Sequence, residues 1–102
     1  MAEHRLFVYG SLKRDGRHHD HMGGARFVAE AETIDGHVLV AQGDYPALGR
    51  GEGRVRGELF LVSDALLAEL DLFEDCPRLY RRAEITLSDG SRALAYWRPE
   101  DC

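Results

Sequence analysis

The sequence predicts an α+β protein: about six β-strands in a curled or closed sheet, with one main helix packed against it. Three observations predict it. Short apolar or alternating runs recur along the chain, the pairs Asp35-Gly36 and Asp89-Gly90 punctuate them, and the stretch from Ser63 to Cys76 carries a capped helical pattern. With 102 residues and no repeat or linker, a single domain over residues 1–102 is expected.

The elements follow in order. Leu6-Phe7-Val8-Tyr9 is an unbroken apolar run ended by Gly10, which reads as a strand buried on both faces. Ser11 to Gly24 is polar, holds three histidines and reads as a long loop. Arg26 to Ile34 and His37 to Ala41 read as a hairpin turning at Asp35-Gly36. Gln42 to Gly53 contains Gly43, Pro46, Gly49, Gly51 and Gly53 and reads as loop. Arg54 to Val62 alternates, with Val55, Gly57, Leu59 and Leu61 on one face, as a strand does. Ser63 can cap a helix opening at Asp64, whose charge suits a helix N-terminus. That helix must stop near Cys76, because the residue before Pro77 is pushed out of helical geometry. Arg82 to Leu87 and Arg92 to Trp97 then pair around Asp89-Gly90.

Composition narrows the function. At 44% hydrophobic and 30% charged the chain is an ordinary globular sequence. Thirteen basic against eighteen acidic residues give a net charge of −5, which argues against nucleic acid as a partner. No apolar run approaches the ~20 residues that span a bilayer. Met1-Ala2-Glu3-His4-Arg5 does not open a secretory signal, so no leader is expected. Cys76 and Cys102 are too few and too distant for a disulfide framework, so a reduced, cytoplasmic protein is the expectation.

The helix holds the strongest chemical clue. At ~100° per residue, Leu66, Leu67, Leu70 and Phe73 fall within an arc of roughly 120°, a normal buried stripe. Glu74 falls at roughly 80° from Leu66, inside that arc. Glu69, Asp71 and Asp75 point away from it. A desolvated carboxylate at the carbonyl end of a helix has a raised pKa and suits acid–base work near neutral pH. The alternative is a frayed helix end with Glu74 in water.

The other candidates are weaker. The turn at Gly10-Ser11 can present successive backbone N–H groups to a carboxylate or an oxyanion, or it is a plain turn. Ser11 is not in a Gly-x-Ser-x-Gly elbow, and Gly10 to Gly16 is not a P-loop. His18, His19 and His21 with Asp20 suggest either a metal site or a solvated polar loop, and adjacent side chains that diverge favour the loop. Cys76 reads as a small residue filling the helix end rather than a nucleophile.

Taken in order, these segments resemble the gamma-glutamylcyclotransferase-like family, most closely its gamma-glutamylamine cyclotransferase branch. The residues that carry the resemblance are Phe7-Val8-Tyr9-Gly10-Ser11-Leu12-Lys13-Arg14, Tyr45-Pro46-Ala47-Leu48 and Val55-Arg56-Gly57-Glu58-Leu59-Phe60. Leu70-Asp71-Leu72-Phe73-Glu74-Asp75-Cys76-Pro77-Arg78-Leu79-Tyr80-Arg81-Arg82 and Ala95-Tyr96 complete it. The resemblance implies a small closed mixed β-barrel with flanking helices, acting on a small-molecule γ-glutamyl amine or γ-glutamyl amino acid. The implied reaction is intramolecular cyclisation that releases 5-oxoproline and the free amine, with no metal and no cofactor. It makes Glu74 the acid–base residue and lines the substrate cavity with Tyr9, Gly10, Ser11 and Leu12. Tyr80 and Tyr96 are candidate walls or hydrogen-bond donors, or ordinary core aromatics. His18 stands where relatives commonly carry Asn, and Asp15 where Gly is common, which leaves the loop's contacts open. A monomer without nucleic-acid or membrane partners is expected. The rival class is a binding module that holds a small carboxylate or acylated amine in the same cavity without turning it over.

Overall fold

The computed structural model describes residues 3–43 and 45–102. Met1 and Ala2, in the expected leaderless N-terminus, and Asp44, in the expected 42–53 loop, lie outside the described residues. The strands are β1 (Glu3–Val8), β2 (Arg26–Glu32), β3 (His37–Gln42), β4 (Tyr45–Arg50), β5 (Arg56–Ser63), β6 (Arg81–Thr86) and β7 (Arg92–Trp97), with helix α1 (Asp64–Phe73) between β5 and β6. The strands form one mixed seven-stranded sheet in the order β2-β5-β1-β7-β4-β3, with β6 on the other side of β7.

Period-two alternation sorts the side chains onto two buried faces. Leu6 and Val8 of β1, Phe60 and Val62 of β5 and Tyr96 of β7 pack with Leu66, Leu67 and Leu70 of α1. The alternate residues Phe7, Leu59, Ala93, Ala95 and Trp97 form a second cluster with Leu48, Val55, Ile85 and Leu87. Both faces are dry, which is why β1 reads as a continuous apolar run. Each fully buried Leu or Phe contributes roughly 1.5–3 kcal/mol.

Three expectations are corrected. The Asp35-Gly36 hairpin does not form, because β2 pairs with β5 and β3 with β4, at opposite ends of the sheet. The 42–53 segment is not all loop. Tyr45 to Arg50 is a seventh strand, its ladder with β3 matching Val40 to Ala47 and Ala41 to Pro46. Its glycine and proline hid a strand with no room for extra bulk at Gly49, where a Cβ would lie 2.6 Å from Asp101 Oδ2. Finally, the barrel is not closed. The end strands β2 and β3 do not pair, although the Thr33–Leu87 bridge and the Ser88 N–H to Glu32 C=O bond draw the end of β2 to the end of β6.

The topology around β7 places the cavity. β6 pairs with β7 from Arg92 to Trp97, so β1 and β4 must share its opposite edge. β1 pairs in parallel at Leu6–Leu94 and β4 in parallel at Leu48–Trp97. Where one leaves and the other arrives, the chain turns at Gly10. Among the described residues no helix is long and apolar enough to cross a membrane.

Gly57 of β5 lies where β1 passes closest: an added Cβ would sit 2.2 Å from Val8 O and 2.8 Å from the Phe7 ring. Gly57→Ala should therefore destabilise the protein by about 1–3 kcal/mol, the usual cost of overpacking. A thermal melt that matches the parent's would show that β1 and β5 can separate without loss.

Candidate active site

Helix α1 opens as its sequence requires, with the Ser63 hydroxyl accepting from the Leu66 N–H at 3.1 Å. It ends at Phe73 with Glu74 as the C-terminal cap, still in right-handed helical geometry (φ −82°, ψ 0°). Asp75 follows with φ +52°, a conformation that Asp and Asn tolerate better than most residues. The Asp75 N–H donates to Leu72 O and the Cys76 N–H to Asp71 O, the paired bonds of a Schellman motif. This fixes Glu74 on the helix and turns the chain away behind it. Glu74 is not frayed into water. Cys76 is half-buried against the core, as a filling residue should be.

Glu74 borders a cavity of about 310 Å³, a volume that suits a small organic ligand. Burial pushes its carboxyl up from an ordinary 4.5 to about 7. Among the described residues no Lys, Arg or His forms an ion pair with it. Phe73, read as part of the buried stripe, stands instead at the cavity mouth and is 36% exposed.

The same cavity collects every residue singled out for the site: Tyr9, Gly10, Ser11, Leu12, Glu74, Tyr80 and Tyr96. Behind Gly10 the turn is closed by the Lys13 N–H donating to Gly10 O and the His18 N–H to Ser11 O. No described residue accepts from the N–H groups of Gly10, Ser11 or Leu12. Three successive backbone donors on a cavity-lining turn thus have no acceptor among the described residues. A Cβ on Gly10 would lie 3.3 Å from Pro46 Cγ, so the turn sits tightly against β4.

The tyrosines have their hydroxyl protons spoken for. Tyr9 donates to the Tyr96 carbonyl and accepts from the Leu48 N–H at 3.0 Å. Tyr80 donates to Pro46 O at 3.0 Å, and Tyr96 to Asp71 Oδ1 at 2.7 Å. Burial raises all three phenols, Tyr80 to about 12, and the nearby Glu74 charge adds to each. For Tyr96 the hydrogen bond to Asp71 raises it further. Tyr80 and Tyr96 are therefore neutral walls of the cavity, with their O–H groups turned to protein acceptors.

Sequence reasoning missed three supports. Asp71, expected to face away from the stripe, bonds both Tyr96 and Arg82. Its position, about 60° from Glu74 on the helix, was a usable signal. Glu58 is 8% exposed and accepts from the Arg14 N–H (2.8 Å) and Arg14 Nε (3.1 Å), anchoring the loop beyond Gly10, while Arg14 lies over the Phe27 ring. A charge directly before the apolar run Leu59-Phe60-Leu61-Val62, on the same strand, was the signal there. The histidines are not simply a solvated loop either. His18 lines the cavity, His19 Nδ1 meets Leu12 O at 2.9 Å, and His21 stacks on Phe73. Among the described residues no group of three or more His, Cys, Asp or Glu side chains gathers as a metal site.

Residues 6–101 match the model of the family described as gamma-glutamyl cyclotransferase, AIG2-like. A gamma-glutamylcyclotransferase family protein of Escherichia coli, YtfP, is 36% identical over 98 residues, covering 95% of this chain and 86% of its own. The human gamma-glutamylaminecyclotransferase is 41% identical over 91 residues, covering 76% of this chain and 57% of the human one. The crystal structure of an AIG2-like protein from Mus musculus superposes with a TM-score of 0.88 at 28% identity, over 100% of this chain and 81% of that one. The chain belongs to the gamma-glutamyl cyclotransferase, AIG2-like family and is an enzyme of the cyclotransferase class.

Proposed function

We propose that this enzyme cyclises a small γ-glutamyl amide, releasing 5-oxoproline and the free amine, with Glu74 as the acid–base residue. The observation that carries the reading is the Glu74 carboxyl: half-buried, without a cationic partner among the described residues, and raised to about 7 by desolvation beside a turn whose N–H groups no described residue accepts. A binding module would gain nothing from such a group, since its ionised form is costly there.

Glu74 takes one proton from the substrate's α-ammonium, and the freed nitrogen attacks the γ-carbonyl carbon to form the ring C–N bond. The carbonyl electron pair moves to oxygen, where the Gly10–Leu12 N–H groups can stabilise it. On collapse the bond to the leaving nitrogen breaks, and the protonated Glu74 carboxyl delivers its proton there. The second proton shed by the ring nitrogen ends on the released amine. Holding the glutamyl arm folded supplies the largest factor, since well-oriented intramolecular reactions reach effective molarities of ~10⁵–10⁸ M.

Replacing Glu74 with Gln keeps the shape and removes the proton shuttle. Formation of 5-oxoproline from γ-glutamyl amides should fall by ~10²–10⁴-fold. Parental turnover in that variant would remove this carboxyl from the chemistry. In the parent, kcat/KM should rise with pH through about 7, the region where Glu74 ionises, and level off above it.

Stability should show the mirror image. The folded-state pKa lies above the ordinary 4.5, so the native protein holds a proton that the unfolded chain has lost. The resulting stabilisation is complete below about pH 4.5 and is lost as pH rises through about 7. Glu74→Gln should flatten that component of a melting-temperature series, and at pH 8 the variant should melt no lower than the parent.

Gly10→Val would press a branched side chain toward Pro46 and tilt the N–H groups. Calorimetric titration should find 5-oxoproline binding at least ~10-fold weaker, about 1.4 kcal/mol. Undiminished affinity in a folded variant would mean that the ligand is held elsewhere.

A further inference from the structure

We propose that the mouth of the cavity is a leaving-group subsite selecting an uncharged arylalkyl amine, its ring received by Tyr45, His18, Phe73 and Leu79. This rests on the cyclisation reading above and names the amine that the reaction releases. The geometry divides the cavity in two. Its interior is walled by buried Tyr80 and Tyr96, with Glu74 and the Gly10–Leu12 turn beside them. Those groups are occupied by the ammonium, carboxylate and γ-carbonyl of the glutamyl arm. The substituent on the leaving nitrogen must therefore lie toward the exposed end.

That end is built from side chains that remain in solvent at a cost. Tyr45, Phe73 and Leu79 are 39%, 36% and 49% exposed. His18 bridges the aromatics, with ring centroids 5.4 Å from Tyr45 and 5.3 Å from Phe73, and His21 closes on Phe73 at 4.1 Å. The result is a run of rings in edge-to-face and tilted contact, the arrangement that accepts a further ring. Gln42 Nε2 bonds Leu79 O at 2.9 Å and ties the aliphatic side of the mouth to β3.

Charge points the same way. Among the described residues Glu74 is the only acidic or basic side chain lining the cavity besides His18. An amino-acid leaving group would bring a carboxylate with no Lys or Arg among the described lining residues to meet it. A diamine would bring a second ammonium to a mouth whose described polar side chains are His18 and a tyrosine, with no other carboxylate among the described lining residues once Glu74 serves the α-ammonium. A neutral aromatic amide incurs neither cost and covers the exposed rings.

The test compares 5-oxoproline release from four probes: the γ-glutamyl amides of benzylamine, methylamine and 1,4-diaminobutane, and γ-glutamylalanine. The benzylamide should have a kcat/KM at least ~10-fold above each of the other three, the scale on which an apolar pocket discriminates. Phe73→Ala and Tyr45→Ala, checked for parental melting curves, should each shrink the benzylamide-to-methylamide ratio at least ~3-fold, since each removes one ring from the mouth. Equal turnover of the four probes, a preference for the charged ones, or ratios unchanged in folded variants would overturn the subsite while leaving the cyclisation reading intact. Release of 5-oxoproline from none of them would overturn the cyclisation reading itself.

Discussion

The site depends on one strand edge having two tenants. β6 occupies one side of β7 throughout, so β1 and β4 divide the other, at Leu94 and at Trp97. The Tyr9 hydroxyl closes the seam between them, donating to the Tyr96 carbonyl of β7 and accepting from the Leu48 N–H of β4. Without that phenol, the backbone groups freed by the departure of β1 would lack partners in a nearly dry interior, a cost of about 1–3 kcal/mol each. The chain can therefore leave the sheet at Gly10 without filling the gap, and the gap is the cavity.

Around this gap the electrostatics are deliberately uneven. Asp71 is paired with Arg82 and Tyr96, and Glu58 with Arg14, so the carboxylates beneath and beside the site are matched. Glu74, three residues beyond Asp71, has no cationic partner among the described residues, and burial pushes its carboxyl up to about 7. The phenols that surround it donate to protein acceptors and are held neutral by burial. The phenols of the cavity wall thus keep their protons turned to protein acceptors. The Schellman motif behind it holds the carboxyl at the helix end rather than letting it swing free.

Much of this was visible before folding was considered. The unbroken Leu6-Phe7-Val8 run announced a strand buried on both faces, and Ser63 announced the helix start. Helical spacing alone set Glu74 among apolar residues. What misled was local turn chemistry: Asp35-Gly36 is a strong hairpin signal, yet β2 pairs with β5 and β3 with β4. The glycines and Pro46 around β4 likewise signalled loop, while tertiary pairing with β3 and β7 made a strand of it.

Sequence by itself determined the quantities that are local: which face of β5 and of α1 is apolar, that β1 is apolar on both faces, where the helix begins, and that one carboxylate breaks the pattern. Only the tertiary structure decided which strands meet, that the tyrosine hydroxyls turn inward to Tyr96 O, Pro46 O and Asp71, and that His18 and Phe73 stand together at the mouth. The reason is range. Periodicity and capping arise from neighbours three or four residues apart, which the sequence displays directly. Tyr9 and Tyr96, Glu58 and Arg14, or His18 and Phe73 meet across dozens of residues, and their partnership is fixed only when the curled sheet brings their strands and loops to one place.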